Sequence, residues 1–364
     1  MNGDQEPLSH PAPSRVQGIE QQTSPTTLDL LDRPLRNLRV SVTDRCNLRC
    51  RYCMPEDNYA WLPHSDILTF EEVSTLVDLF ISVGVKKVRL TGGEPLLRRG
   101  LVELIKCLAA KSSIDDLAMT TNGVLLAAHS EELRRAGLDR VTVSLDTLRP
   151  ERLVTLSRRD SLHAVLAGIE SLAPAGFTRT KIDTVVIRDV NDDELGDLVE
   201  FGKKVRAEVR FIEYMDVGGA TEWNTHSVVS RAEILSALSA LYGDVVPIEK
   251  LDSAPASRFL LPDGTVFGIV SSTTQPFCAT CDRSRLTADG LWYRCLYAFG
   301  GTNLRDPLRD GATAEELRTM LTADWRARRD QGAVDRQRVR GRRMPIPVEV
   351  LRKDTHLEMH TRGG

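Results

Sequence analysis

A chain of 364 residues, 41% hydrophobic and 27% charged, has the composition of an ordinary folded protein with one large core or two domains. Its net charge of −3 gives no bulk basic field, which argues against broad nucleic-acid binding and requires any anionic ligand to be met by a local cluster of Lys and Arg. The longest apolar candidate, LVDLFISVGV, is broken by Asp78 and Gly84, and the N-terminus lacks the basic and apolar blocks of a signal peptide, so a cytoplasmic protein with no membrane partner is expected.

Residues 1–32, rich in Pro, Gln, Ser and Thr, read as a disordered leader. From 33 to about 225, strand-like runs alternate with helix-like ones: RVSVT, EEVSTLVDLFISVG, VRLT, GLVELIKCLAAK, LAMTT, SEELRRAGL, RVTVSLD, SLHAVLAGIESLAPAG, KIDTVVI, DDELGDLVEFGKKV and VRFIEYM. Six strands of βα type predict an α/β fold whose parallel sheet curls into a barrel or part of one. From about 226 the pattern changes to short strands and turns, with LLPDGTVFGIVSS as a hairpin turning at Asp263-Gly264. This marks a second domain or lid over 226–330, followed by a tail over 331–364. The Arg-rich stretch RARRDQGAVDRQRVRGRR reads as a solvated helix.

Parity within the strands carries more information. One face is polar: Arg39, Ser41 and Thr43; Lys87, Arg89 and Thr91; Thr120 and Asn122; Thr142, Ser144 and Asp146; Lys181 and Asp183. The other carries Val40, Val42, Val88, Leu90, Leu117, Met119, Val141, Val143, Ile182 and Val186. Helices would cover the apolar face, and the polar face would line a solvated or ligand-filled lumen, because unpaired buried charge is too costly to leave. A closed barrel fills its interior with Val, Ile and Leu, so a partial, open one is expected. Its cations suit a multiply charged anion such as a triphosphate. The competing reading pairs them with Asp146, Asp183 and Glu213 inside the barrel.

Seven cysteines in a reducing compartment favour metal or cluster binding over disulfides. Cys46, Cys50 and Cys53, spaced CxxxCxxC directly after the first strand, can ligate three irons of a [4Fe-4S] cluster and leave the fourth open. A zinc site completed by His64 is the alternative. Cys278, Cys281 and Cys295 form a second set of three, equally compatible with a zinc knuckle or a second cluster. Arg283 and Arg285 follow, alternating on one side of an extended segment, as an edge strand guarded by charge or as a phosphate clamp. Cys107, alone in LVELIKCLAA, reads as a buried helix residue.

CxxxCxxC together with the GGEP of Gly92 to Pro95 resembles the radical S-adenosylmethionine (SAM) superfamily. The finer text, SVTDRCNLRCRYCMP, KKVRLTGGEPLLRR, TTNG, RFIEYMDVG, FCATCDRSRL and the terminal Gly363-Gly364, is similar to the molybdenum cofactor biosynthesis protein A family of GTP 3′,8-cyclases from about Leu35 to the last residue. The resemblance implies a partial (β/α)6 TIM-like barrel with a C-terminal domain closing its mouth and a [4Fe-4S] cluster near each end of the lumen. Cys46, Cys50 and Cys53 would hold the cluster that chelates SAM, with Tyr52, Gly93, Ser144 and Met215 at the SAM-contacting positions. A glycine at Gly93 would let the backbone approach the methionyl group closely. Cys278, Cys281 and Cys295 would hold an auxiliary cluster facing the guanine of GTP. Arg39, Lys87, Arg89, Thr120, Lys181, Arg210, Arg283 and Arg285 fall at GTP-lining positions, and five of these are also picked out by parity.

The implied reaction begins with an external one-electron reductant, which cleaves SAM to methionine and a 5′-deoxyadenosyl radical. Hydrogen abstraction from C3′ of GTP, attack of the carbon radical on C8, and then one-electron reduction with protonation would give (8S)-3′,8-cyclo-7,8-dihydroguanosine 5′-triphosphate, the first step of molybdenum cofactor synthesis. Arg283 and Arg285 would stabilise developing charge, while proton delivery by Arg is disfavoured by its high pKa. Gly363 and Gly364 would reach into the active site and help initiate radical formation. A homodimer and the next enzyme of the cyclic pyranopterin pathway are the protein partners the resemblance admits. Two competitors stand beside it: another radical SAM enzyme with an auxiliary cluster, such as a peptide maturase, and a non-catalytic iron-sulfur or zinc protein.

Overall fold

The structure is a computed structural model, and it describes residues 26–338 and 346–363. The first half alternates strands and helices: β1 (Asn37–Ser41), α1 (Phe70–Ser82), β2 (Lys87–Thr91), α2 (Leu101–Ala109), β3 (Asp116–Thr121), α3 (Ser130–Arg135), β4 (Arg140–Ser144), α4 (Pro150–Ser157), α5 (Leu162–Glu170), β5 (Lys181–Val186), α6 (Leu195–Val205) and β6 (Glu208–Glu213). Then come α7 (Arg231–Tyr242), β7 (Val246–Ile248), β8 (Ser257–Leu260), β9 (Val266–Val270), β10 (Arg283–Leu286), β11 (Leu291–Tyr293) and β12 (Thr302–Asn303). Helices α8 (Arg305–Arg309), α9 (Ala314–Arg326), α10 (Gly332–Arg338), α11 (Val348–Lys353) and α12 (Met359–Arg362) complete the described chain.

Each expected strand forms, and the helices form for visible local reasons. Thr69 and Glu72 make a capping box at the start of α1, satisfying two backbone donors that would otherwise be orphaned. Val73, Leu76, Val77 and Phe80 then recur at helical spacing and are all buried, each contributing roughly 1.5–3 kcal/mol relative to exposure. The sheet face they join is the apolar parity set, from Val40 on β1 to Val186 on β5, all of it in the core.

All twelve strands belong to one sheet, in the order β12-β11-β10-β1-β2-β3-β4-β5-β6-β9-β8-β7. Pairings from β10 through β1 to β6 and on to β9 are parallel, and the outer pairings are antiparallel. The sheet does not close, which bears out the partial barrel. The hairpin also forms, β8 and β9 pairing Leu260 with Val266 around Gly264 at φ 85°. Strands β9 and β10, from the second half of the chain, extend the six-stranded barrel as parallel neighbours on its two flanks. Strand β10 is therefore not an exposed edge, since β1 covers one side and β11 the other.

Three further expectations are corrected. Residues 26–32 belong to the folded body rather than to a leader: Thr27 and Asp29 are buried, and Thr27 N–H donates to the Val83 carbonyl at 3.2 Å. The rest of the expected leader, 1–25, lies outside the described residues. Cys107 is exposed, because α2 turns Leu101, Leu104, Ile105 and Leu108 inward and leaves position 107 on the outer face. Within the Arg-rich stretch, Arg328 is 2% exposed and sits against Asp29 and Asp330. Charge density alone did not distinguish this buried pairing from solvation.

Candidate functional site

The polar faces of the parallel strands converge on a cavity of about 1170 Å³. The six expected ligand cysteines all border it, as do Tyr52, Gly93, Ser144 and Met215, and Arg39, Lys87, Arg89, Thr120, Lys181, Arg210, Arg283 and Arg285. Strand register puts the two cysteine sets at opposite ends. Arg283 is level with Asn37 at the start of β1, so Cys278 and Cys281 lie below that strand, whereas Cys46 follows its end. Antiparallel β11 runs back down from the Arg285–Tyr293 pairing and returns Cys295 to the level of Arg283, two residues from Cys281. The strand between the sets spans roughly 15 Å at about 3.3 Å per residue.

At the upper end, Cys53 N–H donates to the Cys50 carbonyl at 3.0 Å, and Met54 N–H donates to the same carbonyl at 2.7 Å, closing a tight turn. The GGEP loop supports this turn from behind. A Cβ on Gly93 would stand 2.3 Å from the Arg45 carbonyl, so the small residue is required for packing on the cysteine loop, a constraint beyond close approach to a ligand. Glu94 then accepts from Leu96 N–H, Asn122 N–H and Thr121 Oγ1, tying the loops after β2 and β3 together. Burial pushes its carboxyl up to about 7 despite these donors. Asn122 Nδ2 bonds Asn47 at 2.7 Å and reaches Cys46 Sγ at 3.8 Å. Tyr52 donates its hydroxyl to Asp146 Oδ2 at 2.5 Å, and burial pushes Asp146 up to about 6.

The thiols of Cys46, Cys50 and Cys53 are all raised, first by burial and next, for Cys50, by Cys53 and, for Cys53, by Cys46. Held as thiolates, the three would need a cationic centre among them. Among the described residues no three His, Cys, Asp or Glu side chains converge on a single-ion site, and His64 points to solvent. A zinc tetrahedron needs that convergence, whereas a four-iron cube takes its ligands at separate irons. The donor set fits the cluster.

At the lower end, Cys281 is buried, which alone would raise its thiol, yet Arg283 and Arg328 bring it down to about 7. Cys295 is pushed up to about 11 by burial and Asp330. Arg33 donates to the Cys278 and Asp330 carbonyls at 3.0 and 2.8 Å, and Arg328 to the Cys281 carbonyl at 2.9 Å. Sequence reasoning missed this basic bracket. Arg33 sits at the edge of a low-complexity stretch, and Arg328 is hidden in an arginine run.

Between the ends the lumen is cationic. Arg89 Nη1 bonds Thr120 and Thr142 at 2.8 and 3.0 Å, and burial brings its pKa down to about 9. Burial and Arg210 bring Lys181 down to about 7, while burial and Arg283 bring Arg285 to about 10. The competing idea of internal neutralisation holds only in part. Glu213 is occupied by Thr273, Thr274 and Arg231 backbone donors, and Asp146 by Tyr52 and Val185. Arg210 pairs with Glu208 at 2.7 Å and Arg140 with Asp116, residues that the same strand parity reaches one step earlier on each strand.

Two profiles match in tandem: the Radical SAM superfamily over residues 40–202 and Molybdenum Cofactor Synthesis C over 207–334. A "GTP 3',8-cyclase 1" of Mycobacterium tuberculosis is 58% identical over 340 residues, covering 92% of this chain and 95% of that one. The chain belongs to the GTP 3′,8-cyclase family. A cyclase of the same family from Streptomyces coelicolor is 43% identical over 312 residues, covering 85% of this chain and 92% of the relative. A crystal structure of Streptococcus suis SuiB bound to S-adenosylmethionine superposes with a TM-score of 0.53 at 14% identity, covering 79% of this chain and 69% of that one, a likeness of fold. Family membership brings a [4Fe-4S] cluster with SAM and a second cluster.

Gly363, the last described residue, packs against the ends of β1 and β2. Gly363 has φ 71°, and a Cβ there would stand 2.2 Å from Thr91 Oγ1 and 2.8 Å from Ser41 Oγ, so this position admits no side chain without displacement. Its carbonyl accepts from Arg285 and, at 3.4 Å, from Arg39. Gly364 lies outside the described residues. Gly218, which the sequence did not single out, makes room for the tail: a Cβ would meet the Leu357 carbonyl at 1.7 Å.

Proposed function

We propose that this chain is a radical SAM GTP 3′,8-cyclase acting in the cytoplasm, that Cys46, Cys50 and Cys53 hold the cluster that binds SAM, and that Cys278, Cys281 and Cys295 hold the auxiliary cluster. The observation that carries the reading is one cavity with three half-buried cysteines at each end and a belt of Arg and Lys between them. When bound, the first cluster and SAM supply a hydrogen-abstracting 5′-deoxyadenosyl radical. Every other requirement falls to the protein.

Tyr52, Gly93, Ser144 and Met215 line the upper end and would orient SAM. Arg39, Lys87, Arg89, Thr120, Lys181, Arg210, Arg283 and Arg285 would hold GTP, with its triphosphate on the guanidinium and ammonium groups and its base toward Cys281. Fixing the nucleotide at both ends would hold C3′ near C8 and convert cyclisation into an intramolecular step. Arg283 and Arg285 would stabilise charge developing on the ring system, and the Gly363 tail would exclude water along β1 and β2. The product, a cyclised guanosine triphosphate, passes to the next enzyme of the cyclic pyranopterin pathway. A peptide maturase is disfavoured, because so many inward cations would be left without partners by a neutral peptide.

The test is anaerobic reconstitution with iron and sulfide, then addition of dithionite, SAM and GTP. Formation of 5′-deoxyadenosine together with the cyclised nucleotide is expected. Cleavage of SAM with GTP left intact would remove the substrate assignment and keep the radical class.

A further inference from the structure

Strand β5 places Lys181, Asp183 and Val185 on the lumen side, and Asp183 is the acidic member of that row. Register fixes its neighbours: Asp183 is level with Ser144 on β4 and with Arg210 on β6. These flanking positions are the ones assigned to SAM and to GTP respectively, so Asp183 stands in the layer where the two ligands meet. Its Oδ1 is shielded from solvent and has no hydrogen-bond partner, and among the described residues no Lys or Arg lies within ion-pairing distance of its carboxylate. Arg89 is turned to Thr120 and Thr142, and Arg210 to Glu208. A shielded acceptor left open in this way is held ready for a donor that the protein does not provide. Phosphate carries no such donor, and a carboxylate repels it. A ribose hydroxyl is a donor, neutral and small.

We propose that Asp183 is a specificity residue that accepts a hydrogen bond from a ribose hydroxyl at the junction of the SAM and GTP positions, an inference that rests on the nucleotide-binding reading above. It gives the lumen a means of discriminating ribonucleotide from deoxyribonucleotide that its cations lack, since they read only charge. The sign of the effect separates this role from a generic electrostatic one. Removing a negative charge from a cationic cavity strengthens anion binding uniformly, whereas removing a hydroxyl acceptor weakens only ligands that carry the hydroxyl.

The experiment measures equilibrium binding of GTP, 2′-deoxy-GTP and 3′-deoxy-GTP, and separately of SAM, to the cluster-reconstituted full chain and to its Asp183→Ala and Asp183→Asn variants. Asn keeps the shape of the side chain should Ala perturb folding. The expected result is that the native chain prefers GTP over one deoxy analogue by about tenfold or more. Asp183→Ala removes that preference by weakening GTP alone, and Asp183→Asn reduces it. Loss confined to SAM, with the deoxy preference retained, assigns the same hydroxyl contact to the ribose of SAM. Uniform tightening of all three nucleotides, or an unchanged preference with unchanged SAM binding, overturns the proposal. Absence of any GTP binding to the native chain overturns the functional reading itself, and this inference with it.

Discussion

Arg285 on β10 donates to the carbonyl oxygens of both Arg362 and Gly363, linking the strand that follows Cys278 and Cys281 directly to the C-terminal segment. The same guanidinium lies among Arg283 and Arg39 in the lumen, so the tail is read by groups assigned to GTP. The proposed substrate site and the C-terminal segment are therefore coupled through Arg285 and, at 3.4 Å, through Arg39.

Gly363→Ala should uncouple them. The new methyl group would collide with Thr91 Oγ1 in a left-handed backbone, a conformation that costs an L-residue about 1–2 kcal/mol before any clash. Cyclisation should fall about tenfold or more while iron content stays at the native level. Product formation measured beside iron and sulfide analysis checks this, and native activity in the variant would contradict it.

Cysteine replacement should divide the metal content. Cys46→Ser removes a ligand at the upper end, and SAM cleavage should disappear. Cys281→Ser touches only the lower end, and about half the iron should remain together with SAM binding. Iron quantitation with a SAM-binding assay on each variant reads the difference. Equal losses from both would argue against two independent centres.

Glu94→Ala should be costly to stability. It leaves the N–H groups of Leu96 and Asn122 and the hydroxyl of Thr121 without their acceptor, at about 1–3 kcal/mol for each buried group left unpaired. A destabilisation of about 3 kcal/mol or more is expected in urea unfolding of the apo chain. A shift of under about 1 kcal/mol would mean that the loops are held together by other contacts.

The tail carries a pH-dependent clasp. His356 Nε2 lies 2.8 Å from Asp289 Oδ2, with Asp354 3.3 Å from Nδ1. The Asp289 hydrogen bond raises the imidazole above its usual 6.5. Burial works the other way on Asp289, but His356 and Thr287 hold it below 3.8. A raised histidine stabilises the folded form fully below 6.5 and ceases to do so as pH rises through its folded value. Proteolysis of the C-terminus should therefore accelerate on passing from pH 6 to above that value, and His356→Gln should abolish the acceleration. A pH-independent rate in the native chain would remove His356 from this role.

Strand parity was enough to read the barrel and its polar lumen, and spacing grouped the cysteines into two sets, because a two-residue period and a short interval are local properties of the chain. Arg39, Arg89 and Lys181 were legible from that alone. The orientation of Arg140 and Glu208 extends the same period and was within reach.

What the tertiary structure decided depends on long-range register. Pairing β10 beside β1, and turning β11 back along it, brings Cys295 to Cys281 and makes the second half of the chain a continuation of the sheet. Nor does any local pattern reveal that Arg33 and Arg328 bracket the lower cysteines, or that Gly218 clears a path for the tail. Those contacts join residues distant in sequence, from 47 positions for Arg328 and Cys281 to 245 for Arg33 and Cys278, and sequence periodicity carries no record of which distant segments will share a surface. The residues and their chemistry were set by the amino-acid order; their meeting in one cavity was set by how an open sheet chose its flanking strands.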